Sequence, residues 1–170
     1  MPIPHRKASK PEDDGVAAFL EVVWLEPARM FYAALLLIDS RGCPLEFVYN
    51  SSAAPAGFLW PEAQVRRFAL PALVHTLFAA CRREPDLLIG STNLGEPQFC
   101  RTELAPSIPF AQVEEETPEA PEQWTWLNSP PSPVMRAHTL ALTLQQRGLT
   151  SEPLQRVRAG LREAFPHAAW

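Results

Sequence analysis

Three acidic side chains stand where a β-sheet protein could use carboxylates for chemistry. Glu21 lies within an apolar run, on the same predicted strand face as Phe19 and Val23. Asp39 ends the next apolar run, and Asp86 begins a later one. A charge on an apolar face is costly to bury unless it is paired, and this singles out Glu21. As a set of carboxylates on one sheet, Glu21, Asp39 and Asp86 are the candidate catalytic residues.

Two of these carboxylates also have a structural explanation. Glu21 could pair with an arginine such as Arg29 at the edge of a sheet. Asp39 precedes Arg41-Gly42, and an aspartate before such a pair is typical of a turn. Both explanations stay open at the level of the sequence.

Other familiar site types do not fit. The segment 90–95 has the glycine spacing of a phosphate-binding loop, but Glu96 stands where that loop needs a lysine. Cys81 and Cys100, the closest pair of cysteines, are too far apart to resemble paired zinc ligands. His75 is expected to be a core histidine. The sequence therefore predicts no metal site of these kinds and no cofactor.

The last predicted helix, residues 152–165, carries an apolar face and a basic one. Its three arginines lie outside the apolar face: Arg156, Arg158 and Arg162. If the two C-terminal helices form a helix-turn-helix, these arginines could meet phosphates. The alternative is that they form an ordinary solvated face.

Three tryptophans in the C-terminal half are candidates for binding another protein. Trp124 and Trp126 follow an acidic, proline-rich segment, and Trp170 ends the chain. Large aromatic rings dominate both cores and interfaces. The alternative for Trp124 and Trp126 is that they pack on the core of this same chain.

Three apolar runs separated by short breaks predict an antiparallel meander of strands. They cover residues 16–25, 30–39 and 45–49. The second run is apolar on both faces, so it is expected to be the central strand of the three. Residues 50–57 are predicted to be a loop.

A helix and a fourth strand follow the meander. Pro61 is placed at the start of the helix, which is expected to be buried nearly all round from Phe68 to Cys81. At Pro71 we expect either a kink or two abutting helices. Residues 86–91 are the fourth strand. The order of elements is therefore βββαβ.

This βββαβ order resembles the start of the ribonuclease-H-like fold. The resemblance rests on topology alone and covers about 80 residues. It implies a nuclease that holds two metal ions between acidic residues on central strands and flanking helices. The first strand here lacks a central aspartate, and Ser91, Thr92 and Asn93 follow the fourth strand instead of an acid.

The rest of the chain predicts two further parts. Residues 103–122 carry six glutamates, no basic residue and four prolines, and residues 108–113 could form a short edge strand. A helix capped by Ser132, beginning at Pro133 and ending at Gly148, would form a hairpin with the last helix. The predicted parts are a mobile tail (1–14), an α/β core (15–102), an acidic Pro/Trp-rich extended segment (103–132) and a C-terminal helical hairpin (133–170).

Composition limits the classes of protein. The 170 residues suffice for one domain with a sizeable core, and a net charge of −4 excludes a generally basic protein that coats nucleic acid. No apolar run is long enough to cross a membrane. An odd number of widely spaced cysteines favours a reducing cytoplasm, and the Ala- and Leu-rich composition favours a bacterial source.

Together these features predict an α+β protein that is a non-catalytic subunit or adaptor in a bacterial cytoplasmic complex. Its partner would be another protein or a second copy of the chain. Two alternatives remain open. One is a nucleic-acid-binding protein that uses the basic helical hairpin, and the other is a metal-dependent nuclease with the ribonuclease-H-like core.

Overall fold

The computed structural model describes residues 15–26, 28–55, 60–104, 107–114 and 123–170. Their centre is a six-stranded sheet in the order β3-β2-β1-β4-β5-β6. The strands are β1 (Val16–Leu25), β2 (Met30–Asp39), β3 (Pro44–Ala53), β4 (Leu87–Gly90), β5 (Phe110–Glu114) and β6 (Gln123–Trp126). The helices are α1 (Glu62–Ala80), α2 (Pro97–Phe99), α3 (Arg136–Gln146) and α4 (Glu152–Ala164). The α+β class and the βββαβ order are confirmed. Residues 1–14, predicted to be a tail, lie outside the described residues.

The antiparallel meander has the predicted order, with β2 between β1 and β3. Strand β3 continues to Ala53, beyond the predicted end at residue 49. It does so because residues 50–53 pair with residues 30–33 of β2. The first part of the predicted loop is therefore strand. The same residues of β2, 30–33, also pair with the end of β1, so β3 extends the sheet beside that end.

Helix α1 differs from its prediction in two ways. It runs without interruption through Pro71, where the carbonyl that loses its partner belongs to Arg67, an exposed residue that water can reach. The helix also buries only one face: Phe68 is 66% exposed. The division into two abutting helices was wrong, and the kink at Pro71 stays a prediction. The all-round burial was also wrong, because an apolar composition does not say how many neighbours surround a helix.

Strands β4 and β5 extend the sheet with parallel pairing. β4 pairs parallel with β1, and β5 pairs parallel with β4. β5 is an inner strand, since β6 pairs antiparallel on its other side. The predicted edge strand at residues 108–113 is thus shifted to 110–114 and lies inside the sheet. The glutamates at 115–122 lie outside the described residues.

The two faces of the sheet carry two cores. α1 covers one face, while α3 and α4 cover the other. The helical pair was predicted, but α3 begins at Arg136, not at Pro133 with a Ser132 cap. Residues 131–135 form an irregular turn before the helix begins. Within the described ranges, no helix is long and apolar enough to cross a membrane.

Candidate functional site

The carboxylate of Glu21 is a fully buried charge, with 0% exposure. Three side chains donate hydrogen bonds to it. The Ser91 hydroxyl lies 2.7 Å and the Asn93 amide 2.9 Å from Oε1, and the Arg158 guanidinium lies 2.7 Å from Oε2. We call these four residues the Glu21 centre. Both oxygens of the carboxylate therefore accept hydrogen bonds. A buried charge needs such partners because it has lost its contact with water.

The Glu21 centre forms where the short parallel strand β4 ends. Gly90, the last residue of β4, pairs with Leu20, so Glu21 is the first residue of β1 beyond that pairing. Glu21 points toward the face covered by α3 and α4. Ser91 follows β4 directly, and Asn93 lies in a 3-10 turn at residues 92–94. The carboxyl ends of parallel strands are where open α/β sheets bind their ligands.

The turn that carries Ser91 and Asn93 is held from several sides. A side chain at Gly90 would collide with Leu94, so only glycine lets the turn fold back this closely. Buried Gln112, on β5, donates to the carbonyls of Ser91 at 3.0 Å and Gly95 at 3.1 Å. These contacts fix the donors that face Glu21.

A guanidinium from α1 also reaches this turn. Arg66 donates a hydrogen bond of 3.3 Å to the carbonyl of Asn93. The turn therefore lies between an arginine from α1 on one face of the sheet and Arg158 from α4 on the other. Arg158 belongs to the Glu21 centre and Arg66 borders it, so two cations lie there although the chain as a whole is acidic.

The two-metal site that the ribonuclease-H-like resemblance implies does not fit these donors. Mg²⁺ and Mn²⁺ take oxygen ligands that accept rather than donate. Here Ser91, Asn93 and Arg158 all direct hydrogens at one carboxylate. Within the described part of the chain, no group of three or more His, Cys, Asp or Glu side chains could hold a metal ion.

The other two candidate carboxylates lie elsewhere. Asp39 lies opposite Val16, at the start of β1, in the antiparallel pairing of β1 and β2. Asp86 accepts a 2.9 Å hydrogen bond from the backbone amide of Val16. Glu21 is five residues further along β1, or roughly 16 Å away. The structure therefore does not bring Glu21, Asp39 and Asp86 together as one carboxylate set.

Asp39 performs the turn role that its sequence context allowed. Its side chain accepts hydrogen bonds of 2.9 Å from the backbone amides of Arg41 and Cys43, and it pairs with the Arg41 guanidinium at 3.0 Å. Burial raises the pKa of Asp39, but the hydrogen bonds from Cys43 and Arg41 outweigh burial and hold it below the ordinary value of 3.8. The carboxylate is charged and closes the β2–β3 hairpin.

Glu21 is paired with an arginine, but not with Arg29. Arg29 instead donates to the Pro55 carbonyl at 3.1 Å and lies over the Trp24 ring. The actual partner, Arg158, is 137 residues away in sequence. No local signal could have named it.

The three arginines of α4 have different surroundings. Arg156 pairs with Glu152 one turn earlier and donates to the Gly42 carbonyl at 2.7 Å, which anchors the helix to the β2–β3 hairpin. Arg158 pairs with Glu21. Arg162 is exposed. Two of the three arginines that were predicted to contact phosphates, Arg156 and Arg158, therefore contact other residues of the chain.

The tryptophans are placed in three environments. Trp124 is buried in the core under α3 and α4, and its indole donates to the Thr150 carbonyl at 3.1 Å. Trp126 is half-buried and packs edge-on against Trp124. Trp170 is 40% exposed and rests on Tyr32. Packing on the chain's own core accounts for Trp124, and partner binding by these rings stays a prediction.

A surface cavity of about 550 Å³ lies between α1 and the start of β4, away from the Glu21 centre. Val74, Phe78 and Leu88 contribute apolar side chains to it. His75 also lines this cavity and is exposed, so the prediction of a core histidine was wrong. The helix presents this position to solvent because α1 buries only one face.

Sequence reasoning missed Gln112 altogether. Its only signal is a lone polar residue within the apolar run Phe110-Ala111-Gln112-Val113. The sequence shows Ser91 and Asn93 only as residues that stand where an acid would be expected. Their role as donors appears once the turn is folded against β1.

No protein-family model matches the chain, and no curated protein matches it significantly. Solved structures do resemble it. Endonuclease V from Streptomyces avermitilis aligns over 88% of this chain and 82% of its own, with a TM-score of 0.51 and 17% identity. Endonuclease V from Bacillus subtilis aligns over 61% of this chain with a TM-score of 0.45 and 12% identity, and the aligned part is 46% of that protein. An endonuclease V from Ciona intestinalis, solved with inosine-containing DNA, aligns over 79% of this chain and 56% of its own. The TM-score is 0.42 and the sequence identity is 8%.

The likeness to the Streptomyces protein shows that this chain shares the fold of an endonuclease V over most of its length. It overturns the leading prediction of a non-catalytic adaptor that acts through protein contacts, because the solved structure that shares this fold is an endonuclease V. The alternatives that involve nucleic acid fit better. The adaptor prediction rested on the lack of a complete catalytic set in the sequence, which says little about fold.

Proposed function

We propose that this protein binds nucleic acid in a nucleic-acid-processing role, at the edge of the sheet that carries the Glu21 centre. The observation that carries the proposal is the position of this centre. It lies beyond the end of β4, in a fold shared over most of the chain with an endonuclease V. Ligands of open α/β sheets bind outside the carboxyl ends of parallel strands.

Cationic side chains at this edge support the proposal. Arg66 reaches the 91–95 turn from the α1 face of the sheet. Arg158 reaches Glu21, beside that turn, from the other face. Arg162 is exposed and lies one helical turn beyond Arg158, on the same side of α4. We assign phosphate contacts to Arg66 and Arg162, since phosphate contacts supply most of the affinity for nucleic acid.

Binding is tested by fluorescence anisotropy with labelled single-stranded DNA, duplex DNA and RNA at several salt concentrations. We expect the affinity to fall steeply as salt rises. The Arg66→Ala/Arg162→Ala variant should bind more weakly. It should lose about 0.9 from the slope of log affinity against log salt for each duplex phosphate contact removed.

A matched control has the same charge change elsewhere. Arg82 and Arg83 follow the other end of α1 and are exposed, so Arg82→Ala/Arg83→Ala should bind as the natural protein does. Equal losses of affinity for nucleic acid in the two double variants would show a diffuse electrostatic attraction and would contradict a binding site at this edge. Absence of salt-dependent binding to all three nucleic acids would refute the proposal.

We also place the protein in the cytoplasm. Its cysteines are free: Cys43 is exposed, Cys81 is half-buried and Cys100 is buried. Reduced thiols are typical of the cytoplasm. Fractionation of cells that express the full chain tests this, and recovery with the periplasmic or secreted fraction would contradict it.

A further inference from the structure

We propose that the Arg158 guanidinium is a built-in substitute for a metal cation at the Glu21 carboxylate, so that the Glu21 centre is independent of divalent metal. The inference concerns the chemistry of the same edge that the proposed function uses. Its first test needs no nucleic acid and does not rest on that function.

The first observation is the charge of the centre. Glu21 is the single buried carboxylate there, and the guanidinium 2.7 Å from its Oε2 balances it with one positive charge. A divalent ion on the same carboxylate would stand close to the guanidinium and be repelled by it. It would also leave the buried site with an excess of positive charge, which is costly away from water.

The second observation is the direction of the hydrogen bonds. The Ser91 hydroxyl, the Asn93 amide and the Arg158 guanidinium all donate to the carboxylate. A pocket lined with donors stabilises an anion, whereas a metal ion needs oxygen lone pairs turned toward it. The donors are also fixed, because Gln112 and Arg66 hold the turn that carries Ser91 and Asn93.

The third observation is where Arg158 comes from. It projects from α4, the helix that covers β1 and β2 on this face, and its side chain remains 37% exposed. The guanidinium therefore sits at the boundary between the buried carboxylate and solvent. A metal ion approaching the carboxylate past this boundary meets the guanidinium.

Metal binding by the protein alone provides the test. Mn²⁺ is titrated by calorimetry into the natural chain and into Ser91→Asp/Arg158→Asp, which replaces a donor and the cation with carboxylates beside Glu21. We expect no saturable binding to the natural chain. The double variant should bind Mn²⁺ saturably, because carboxylate oxygens are ligands that this ion takes, and adding Glu21→Gln should remove or weaken that binding.

A control variant separates this site from added charge. Thr92→Asp/Arg162→Asp makes the same charge change at two positions outside the Glu21 centre, and it should gain no such site. Saturable Mn²⁺ binding to the natural chain that Glu21→Gln abolishes would overturn the inference. A folded Ser91→Asp/Arg158→Asp variant with no gain would show that Arg158 is not what excludes the metal.

If the double variant does not fold, judged by circular dichroism, the natural chain still decides. Its melting temperature should be the same in Mn²⁺ and in EDTA, and stabilisation by Mn²⁺ that Glu21→Gln removes would refute the inference. Nucleic-acid affinity should likewise be equal in Mg²⁺ and in EDTA at matched ionic strength. Failure to bind nucleic acid at all would count against the proposed function and leave the metal result standing.

Discussion

Arg158 on α4 and Glu21 on β1 form an ion pair of 2.7 Å across 137 residues of sequence. The pair joins the last helix to the middle of the sheet and neutralises a carboxylate that has no access to water. Ser91 and Asn93 complete its hydrogen bonds from the end of β4. The same contacts that stabilise the packing of α4 also define the chemistry of the centre.

Replacing Arg158 alone should lower the free energy of unfolding more than replacing both Arg158 and Glu21. Arg158→Met leaves a buried carboxylate without its counter-charge, and we expect a loss of about 3 kcal/mol in the free energy of unfolding. This is the lower end of the range for buried pairs, because the Arg158 side chain is partly exposed. Adding Glu21→Gln should recover part of the loss. Urea denaturation measures both.

Arg162→Met is the control on the same helix, and as an exposed position it should change stability by about 0.5 kcal/mol or less. A cost for Arg158→Met no larger than this would contradict the structural role of the pair.

The turn at Asp39 should make stability depend on pH. Its pKa is lowered in the folded state, so the charged form adds stability that is fully present above the unfolded-state pKa and is lost as the pH falls through the folded-state pKa. Asp39→Asn should cost about 1 kcal/mol at neutral pH. This difference from the natural protein should shrink below about pH 4. Unfolding curves for both proteins from neutral to acid pH provide the measurement, and a difference that does not vary with pH would show that the charge is unimportant.

The three thiols should react at very different rates. Burial raises the pKa of Cys81, helped by the nearby Glu46 carboxylate, to about 11, and burial raises the pKa of Cys100 to about 11. At pH 8 each has about 100-fold less thiolate than a thiol of ordinary pKa 9. A chromogenic disulfide reagent should therefore modify one thiol quickly in the native protein, the exposed Cys43, and all three in denaturant.

The variant Cys43→Ser provides the control, since it should remove the fast phase alone. A fast phase that persists in this variant would show that the structure misplaces Cys81 or Cys100.

Gly160→Ala should destabilise the protein even though alanine favours helices. A β-carbon at this position would lie 2.5 Å from the end of the Phe47 ring on β3. Helix propensity favours alanine by about 1 kcal/mol, whereas overpacking of this kind costs about 1–3 kcal/mol. We expect a net loss of about 1 kcal/mol by thermal or urea unfolding.

The double variant Phe47→Leu/Gly160→Ala tests the cause. With a smaller side chain opposite, the alanine should be neutral or stabilising relative to Phe47→Leu alone. Stabilisation by Gly160→Ala in the natural background would mean that α4 lies further from β3 than described.

Local patterns in the sequence determined the first half of the fold. The apolar runs before Pro27 and before Ser40-Arg41-Gly42 end at turn residues, and the structure has strands there because strand propensity and turn chemistry act over a few residues. Asp39 belongs to the same class, since its partners Arg41 and Cys43 are its near neighbours. The βββαβ order and the resemblance that it carries followed from these signals.

Tertiary structure alone decided the second half and the Glu21 centre. Nothing local indicates that β5 pairs in parallel with β4, because that pairing depends on contacts between distant segments. The sequence showed that a charge at Glu21 needs a partner, but the choice of Arg158 over Arg29 depends on how α4 packs against β1. Electrostatic pairing is a property of distance in space, and chain distance does not encode it.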